Sequence, residues 1–292
     1  MDKIIYIHMG LHKTGTTSLQ TLLSCNKEIL KKQGFYYPIS SLFTVNHSIP
    51  IYSAFCSFPE NYHINIKQGL SKKEIINKNK NILNEFNKIL QNNNKIIISG
   101  EDISVLNTDE LKKFKSFIEK YNYKIIPIVI IRSPYSWYCS RIQETIKSGN
   151  YVDYIKYDNI LIDRIIKIKS IFDNTIFIPY NKKHKLGTVG LIMDLLSINY
   201  SNFKLLDKKE NESYSNLTIR EKNMENKLNP VIINGVINKN YNQQIKIIND
   251  HKPFRLNKYE LSLVIDKIKK ENEYLMKELG EEFCDIDYSV CD

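Results

Sequence analysis

The 292-residue chain is 42% hydrophobic and 25% charged, the balance of an ordinary globular protein long enough to bury a substantial core. Its formal charge is +10, yet the lysines are scattered rather than striped with aromatic residues, which speaks against a nucleic-acid binder. No apolar run approaches the roughly 20 residues of a membrane helix, and five cysteines without a C-x-x-C pair suggest neither a disulfide framework nor a zinc site.

In chain order, Met1-Asp2-Lys3 leads straight into a short strand-like run at 3–8, without the longer apolar region of a signal peptide, so a cytoplasmic location is expected. A glycine-containing loop follows, then a helical stretch with Leu19, Leu22, Leu23, Ile29 and Leu30 on one face and Gly34 as its stop. Residues 35–70 carry Tyr, Phe, Pro and His with little period and read as an irregular, aromatic-rich region over a sheet. Further strands are expected at 95–99, 124–131 and 175–179. Helix starts are expected at Asn107 with Glu110, at Ser133-Pro134, and at Thr218 with Glu221 as a capping box. A long helix is expected from about 259 to 283, with Leu261, Val264, Ile265 and Ile268 on one side. Strands alternating with helices predict an α/β fold with a central parallel sheet, and the lack of a linker or repeat predicts one domain with a helical C-terminal elaboration.

The most informative stretch is "HMGLHKTGTTSLQ", residues 8–20, set between the first strand and the first helix. Gly10 and Gly15 have the spacing of a nucleotide-binding loop, in which glycines let successive N–H groups point inward and the helix adds the positive end of its dipole. An ATP or GTP loop carries its lysine after the second glycine. Here Thr16 holds that place, and the lysine comes earlier, at Lys13.

With the lysine ahead of Gly-Thr-Thr, this stretch resembles the 5′-phosphosulfate loop of sulfotransferases that use 3′-phosphoadenosine 5′-phosphosulfate (PAPS), and Leu19-Gln20 resembles the bacterial and carbohydrate-type members. The resemblance implies a three-layer P-loop-type fold, with His12, Lys13, Thr14, Gly15, Thr16, Thr17 and Ser18 around the donor's 5′ end and adenosine 3′,5′-bisphosphate as the product. It covers about residues 3–34 and 95–228, leaving 35–90 and 229–292 as acceptor-side elaborations.

PAPS also needs a site for its 3′-phosphate, and "VIIRSPYSWYCSRIQETIKSG" resembles the family's motif for it, an arginine at a strand end and a serine eight residues later: Arg132 and Ser140. Independently of the family, Ser140 lies seven residues after Ser133, close to two helical turns, so an arginine fork and a hydroxyl on one face can share a phosphate. The stretch from Lys208 resembles the element that closes over the nucleotide in bacterial members, which implies Lys209 and Asn211 as contacts, although Glu210 stands where a basic residue often precedes the Asn. Tyr180 is placed like a family tyrosine near the nucleotide.

Sulfuryl transfer asks for charge stabilisation at the bridging oxygen, in-line positioning and a base for the acceptor's proton. Lys13 suits the first role. His47 and Glu101 are the candidates for the base, with His47 preferred because an imidazole titrates nearer neutral pH. His8, on a buried strand end, reads as structural. No metal is required, and the sequence contains no convincing ligand cluster. The acceptor expected from the loop variant is a saccharide or glycolipid, met without a transmembrane segment. Two alternatives stand beside this reading: a P-loop kinase or NTPase using "KIIISGED" as an acidic strand end for Mg²⁺, and a non-catalytic nucleotide-binding protein.

Overall fold

Isoleucine-rich runs without polar alternation, such as Ile96-Ile97-Ile98 and Ile128-Val129-Ile130-Ile131, suit strands covered on both faces, and they form the central sheet. The structure is a computed structural model and describes residues 3–11, 13–158, 160–180, 183–204, 214–233, 236–238, 240–241, 244–248, 250 and 252–291. In chain order, β1 (Lys3–His8) leads to α1 (Thr16–Cys25), α2 (Lys27–Lys32), α3 (Ser48–Phe55), α4 (His63–Lys67) and α5 (Lys72–Asn92). β2 (Lys95–Ser99) is followed by α6 (Thr108–Glu119), and β3 (Tyr123–Ile131) by α7 (Pro134–Lys147) and α8 (Ile160–Ile171). After β4 (Ile176–Pro179) come α9 (Gly187–Leu195), α10 (Asn216–Leu228), the short antiparallel pair β5 (Ile232–Ile233) and β6 (Val236–Ile237), and α11 (Lys258–Glu278).

The fold is α/β, with a four-stranded parallel sheet in the order β2-β1-β3-β4 flanked by helices. Where one domain is expected, the backbone packs as two compact units, Met1–Ile131 with Asp163–Lys208, and Arg132–Ile162 with Lys209–Asp292. The first unit holds the sheet. One sheet face, with Ile97, Ile128, Ile130 and Ile178, packs against Leu19, Leu22 and Leu23 of α1, Leu30 of α2, and Ile192 and Met193 of α9. Ile5, Ile7, Ile96 and Ile98 are buried on the alternate face, α6 packs against β3, and Phe114 of α6 stacks on Phe86 of α5.

β1 lies between β2 and β3, so successive connections leave it in opposite directions. In open parallel sheets the crevice at the carboxyl ends beside such a reversal is where ligands bind. The loop at residues 10–15 starts there.

In the second unit, Trp137, Tyr138, Ile142 and Ile146 of α7 pack with Ile219 of α10 and with Val264 and Ile268 of α11. The Arg220 guanidinium forks onto Glu260, both N···O distances being 2.8 Å. Among the described residues no helix is long and apolar enough to cross a membrane. The five cysteines are free thiols.

The four strands, the Gly34 stop (φ 83°) and the Asn107–Glu110 capping box follow the sequence reading. Three features depart from it. Residues 35–70 are not wholly irregular but contain α3 and α4; Pro50 misled, because it lies in the first turn of α3, where its missing N–H costs no helical hydrogen bond. The cap of α10 is Ser215, whose hydroxyl accepts from the Thr218 N–H; Thr218 is the third helical residue, not the cap. The last long helix ends at Glu278, after which Gly280, at φ 120°, breaks the helical path before a separate turn of 3₁₀-helix at Glu281–Phe283.

Gly100, just after β2, meets the start of α3: a Cβ there would lie 2.5 Å from the Ser48 backbone nitrogen and 2.9 Å from its Cα. Neither partner is a side chain that can move aside. Gly100→Ala should therefore cost about 1–3 kcal/mol of stability, read as a lower urea midpoint at unchanged m-value.

Candidate functional site

The loop after β1 is shaped by two left-handed residues, Lys13 at φ 71° and Gly15 at φ 84°. A lysine in that region costs about 1–2 kcal/mol that glycine avoids. The turn sets Gly15 as the N-cap of α1, where no side chain caps the helix and no acidic residue occupies the first turn. The free N–H groups and positive dipole end of α1 thus meet the loop interior, an arrangement that favours an anion. Thr14 is fully buried and its hydroxyl donates to the Leu11 carbonyl at 2.5 Å. That side chain holds the loop's own turn, so only the backbone of Thr14 is left for a ligand, a narrower role than the sequence suggests. Thr17 is exposed and Ser18 and Lys13 half-buried.

Gly10 is required by close approach. A Cβ on it would lie 2.4 Å from Thr16 Oγ1 and 3.0 Å from His8 Nε2. Both atoms are buried and neither has a hydrogen-bond partner.

Beneath the loop, the fully buried Ser99 at the end of β2 joins four segments. Its N–H donates to His47 Nδ1 at 3.0 Å, and its carbonyl accepts from the His47 N–H at 3.0 Å and from Gln20 Nε2 of α1 at 3.1 Å. Its hydroxyl lies 2.9 Å from His8 Nδ1. The sequence signal for Ser99 and Gln20 is a polar residue closing an apolar strand and a polar residue one turn into α1.

This network corrects the assignment of His47 as base. Its Nε2 lies 2.7 Å from the Pro38 carbonyl, which requires an N–H there, and its Nδ1 lone pair is taken by Ser99. Burial pushes its pKa down to about 4 against an ordinary 6.5, and the Tyr37 ring lies tilted against it with centroids 4.6 Å apart. No nitrogen remains to take a substrate's proton. Glu101, half-buried just past β2, stands close enough to His8 that its charge raises the imidazole pKa against the larger effect of burial, the result being about 4. Tyr180 follows β4, its N–H donates to the Ile131 carbonyl at 2.7 Å, and its ring comes within 3.9 Å of where a Gly15 Cβ would stand. The first unit thus brings together Lys13, Gly15, Thr16, Tyr180 and, through His8, Glu101. His12, Lys209 and Asn211 lie outside the described residues.

In the second unit, Arg132 Nε donates to Ser136 Oγ at 2.8 Å. Ser136 stands one turn before Ser140, so the two hydroxyls share a helix face with the arginine beside the first of them. Ser136 went unnoticed in the sequence, although its i+4 spacing from Arg132 was readable. The first-turn N–H groups of α7 are taken: Asp285 accepts from Tyr135 N at 2.8 Å and from Ser136 N at 3.3 Å. Nothing in the sequence links Asp285 to this helix. Those two amides are therefore already committed and are not left for an anion at the start of α7. Among the described residues no three His, Cys, Asp or Glu side chains form a metal-ligand group.

No family model and no curated protein matches the chain. Among solved structures, a chain from the PezAT chromosomal toxin–antitoxin system of Streptococcus pneumoniae is similar, with 12% identity over 78% of this chain and 85% of that one and a TM-score of 0.36. A similarity of that size leaves the functional reading to the site itself.

The two buried histidines make stability depend on pH. Each has a folded pKa of about 4 and an ordinary value of 6.5, so between these limits the unfolded chain binds the extra proton. Stability should fall as pH drops below about 6.5, by about 1.4 kcal/mol per unit for each ring, and this contribution should level off below about pH 4. Urea midpoints for the wild type and His47→Gln should show the variant's slope reduced by about one histidine's share; equal slopes would remove His47 from the account.

Proposed function

We propose that the protein transfers a sulfonate group from PAPS to a hydroxyl or amine of an acceptor, with the loop at residues 10–17 taking the donor's 5′-phosphosulfate. The observation that carries this reading is the buried Thr16 hydroxyl, unpartnered at the first residue of a helix whose N-terminus has no side-chain cap and no first-turn acid. Such a group is a donor awaiting an acceptor oxygen. Lys13 ahead of Gly-Thr-Thr, rather than after the second glycine, favours a phosphosulfate over the polyphosphate of an ATP loop.

In the proposed reaction the acceptor oxygen or nitrogen attacks sulfur in line. As that bond forms, the bond from sulfur to the bridging oxygen breaks, and its electron pair stays on the 5′-phosphate of adenosine 3′,5′-bisphosphate. Lys13 stabilises the charge growing on that oxygen, while Thr16, Thr17 and the N–H groups of α1 hold the phosphate. Glu101 takes the acceptor's proton, since both His47 nitrogens are committed elsewhere. Arg132 with Ser140, and Ser136 between them, takes the 3′-phosphate. Tyr180 borders the nucleotide. A saccharide or glycolipid acceptor goes with the loop variant that the sequence carries.

Thermal-shift assays separate this reading from a kinase. Adenosine 3′,5′-bisphosphate without magnesium should stabilise the protein, by about 2.7 kcal/mol at a hundredfold excess over Kd; protection by Mg-ATP alone would sink the proposal. With labelled PAPS and an identified acceptor, Lys13→Ala should lower kcat by roughly 10²–10³-fold. Arg132→Ala should weaken adenosine 3′,5′-bisphosphate binding by about 10–100-fold, the equivalent of about 1.5–3 kcal/mol for a hydrogen bond to a charged group. An unchanged affinity would defeat the assignment of Arg132.

A further inference from the structure

Resting on the donor reading above, we infer that His8 is a positioning residue: in the anion-bound state its Nε2 donates to the Thr16 hydroxyl and turns that hydroxyl's proton toward the anion, closing a relay from Ser99 through His8 to Thr16 that is open in the structure, where neither atom has a partner. Two buried polar atoms without partners, His8 Nε2 and Thr16 Oγ1, lie within 3.0 Å of one point beside Gly10. Leaving one such group unsatisfied costs about 1–3 kcal/mol, so two on a single glycine mark a site organised for an occupied state. The residues are 1% and 2% exposed.

The direction of the relay is set by the tautomer of His8. Ser99 Oγ lies 2.9 Å from His8 Nδ1 and can donate to it or accept from it, according to which ring nitrogen carries the hydrogen. If Ser99 donates to Nδ1, the neutral ring carries its hydrogen on Nε2 and can donate to Thr16 Oγ1. The threonine's own proton is then directed to the anion, and each bond in the chain polarises the next. The opposite tautomer would draw the Thr16 proton onto Nε2 and turn oxygen lone pairs toward the anion. Burial keeps the ring neutral against the opposing charge of Glu101, so the relay has one hydrogen to place rather than two. Gly10 belongs to the same device, because any side chain there would fill the point on which ring and hydroxyl converge.

The test is made on the full-length protein with adenosine 3′,5′-bisphosphate as the probe. In ¹⁵N-histidine spectra, with His8 assigned by its loss in His8→Gln, the expected result is the Nε2–H tautomer, with its proton resonance moving downfield on nucleotide binding. In calorimetric titrations, His8→Leu and Thr16→Val should each weaken binding about tenfold, and the double variant should also be about tenfold weaker rather than a hundredfold. His8→Gln, whose amide can donate from near the Nε2 position, should recover most of the affinity. An Nδ1–H tautomer in the bound protein, losses that multiply, or a His8→Gln as weak as His8→Leu would overturn the role of His8. Should His8→Leu fail to fold, the tautomer of the wild type still decides. Wild-type protein that binds no nucleotide overturns the donor reading and this inference with it, whereas binding with independent losses overturns the inference alone.

Discussion

The candidate site depends on Ser99. Through its amide, carbonyl and hydroxyl this residue holds His47 at the head of α3, Gln20 in α1 and His8 at the end of β1. The Gly100 amide adds a bond to the His8 carbonyl at 3.0 Å, and the bare Cα of Gly100 lets Ser48 approach. The strand ends that form the mouth of the sheet are therefore fixed by buried hydrogen bonds rather than by apolar packing alone. Such a network specifies one arrangement only when every member is satisfied. Here it is satisfied on the Ser99 and His47 side and open at His8 Nε2 and Thr16 Oγ1, the two atoms that face the loop.

That contrast separates scaffold from function. His47 has the chemistry of a base but is used as a cross-link, donating to one backbone carbonyl and accepting from one backbone amide. The loop breaks local rules instead. Lys13 adopts a backbone region disfavoured for a side-chain-bearing residue, α1 begins without a side-chain cap, and a threonine hydroxyl is buried without a partner. The helices α5, α6 and α11, by comparison, each open with a complete capping box, worth about 1 kcal/mol apiece. Conflicts between local preference and observed structure are expected where a ligand supplies the missing interactions.

How much of this was legible follows from the range over which each feature is determined. The strands were readable because parallel strands buried on both faces need unbroken Ile and Val runs, and the loop because its glycines and threonines are consecutive. Helix α3 was hidden by Pro50 and by aromatic residues whose partners, such as Phe114 and Phe117 against Phe55, lie some sixty positions away. His47 was misjudged for the same reason: residue type speaks of chemistry, while the commitment of its nitrogens to Pro38 and Ser99 is set by tertiary structure. Ser136 lay within reach of a helical-wheel argument. Asp285, about 150 positions from the helix it caps, did not.

Asp285 also bears on how the N-termini of α1 and α7 differ. At α1 the N-terminus has no side-chain cap and no first-turn acid, so its amides and dipole are presented to the loop in fixed directions. At α7 two first-turn amides are already matched by the Asp285 carboxylate, and the planar Arg132 guanidinium lies beside the helix, its Nε donating to Ser136. The first arrangement suits a group whose charge shifts during reaction, because preorganised dipoles need not move as charge develops. The second suits a group whose charge stays constant, because a planar fork recognises a phosphate by geometry. The proposed transfer assigns the reacting 5′-phosphosulfate to the first kind of arrangement and the spectator 3′-phosphate to the second.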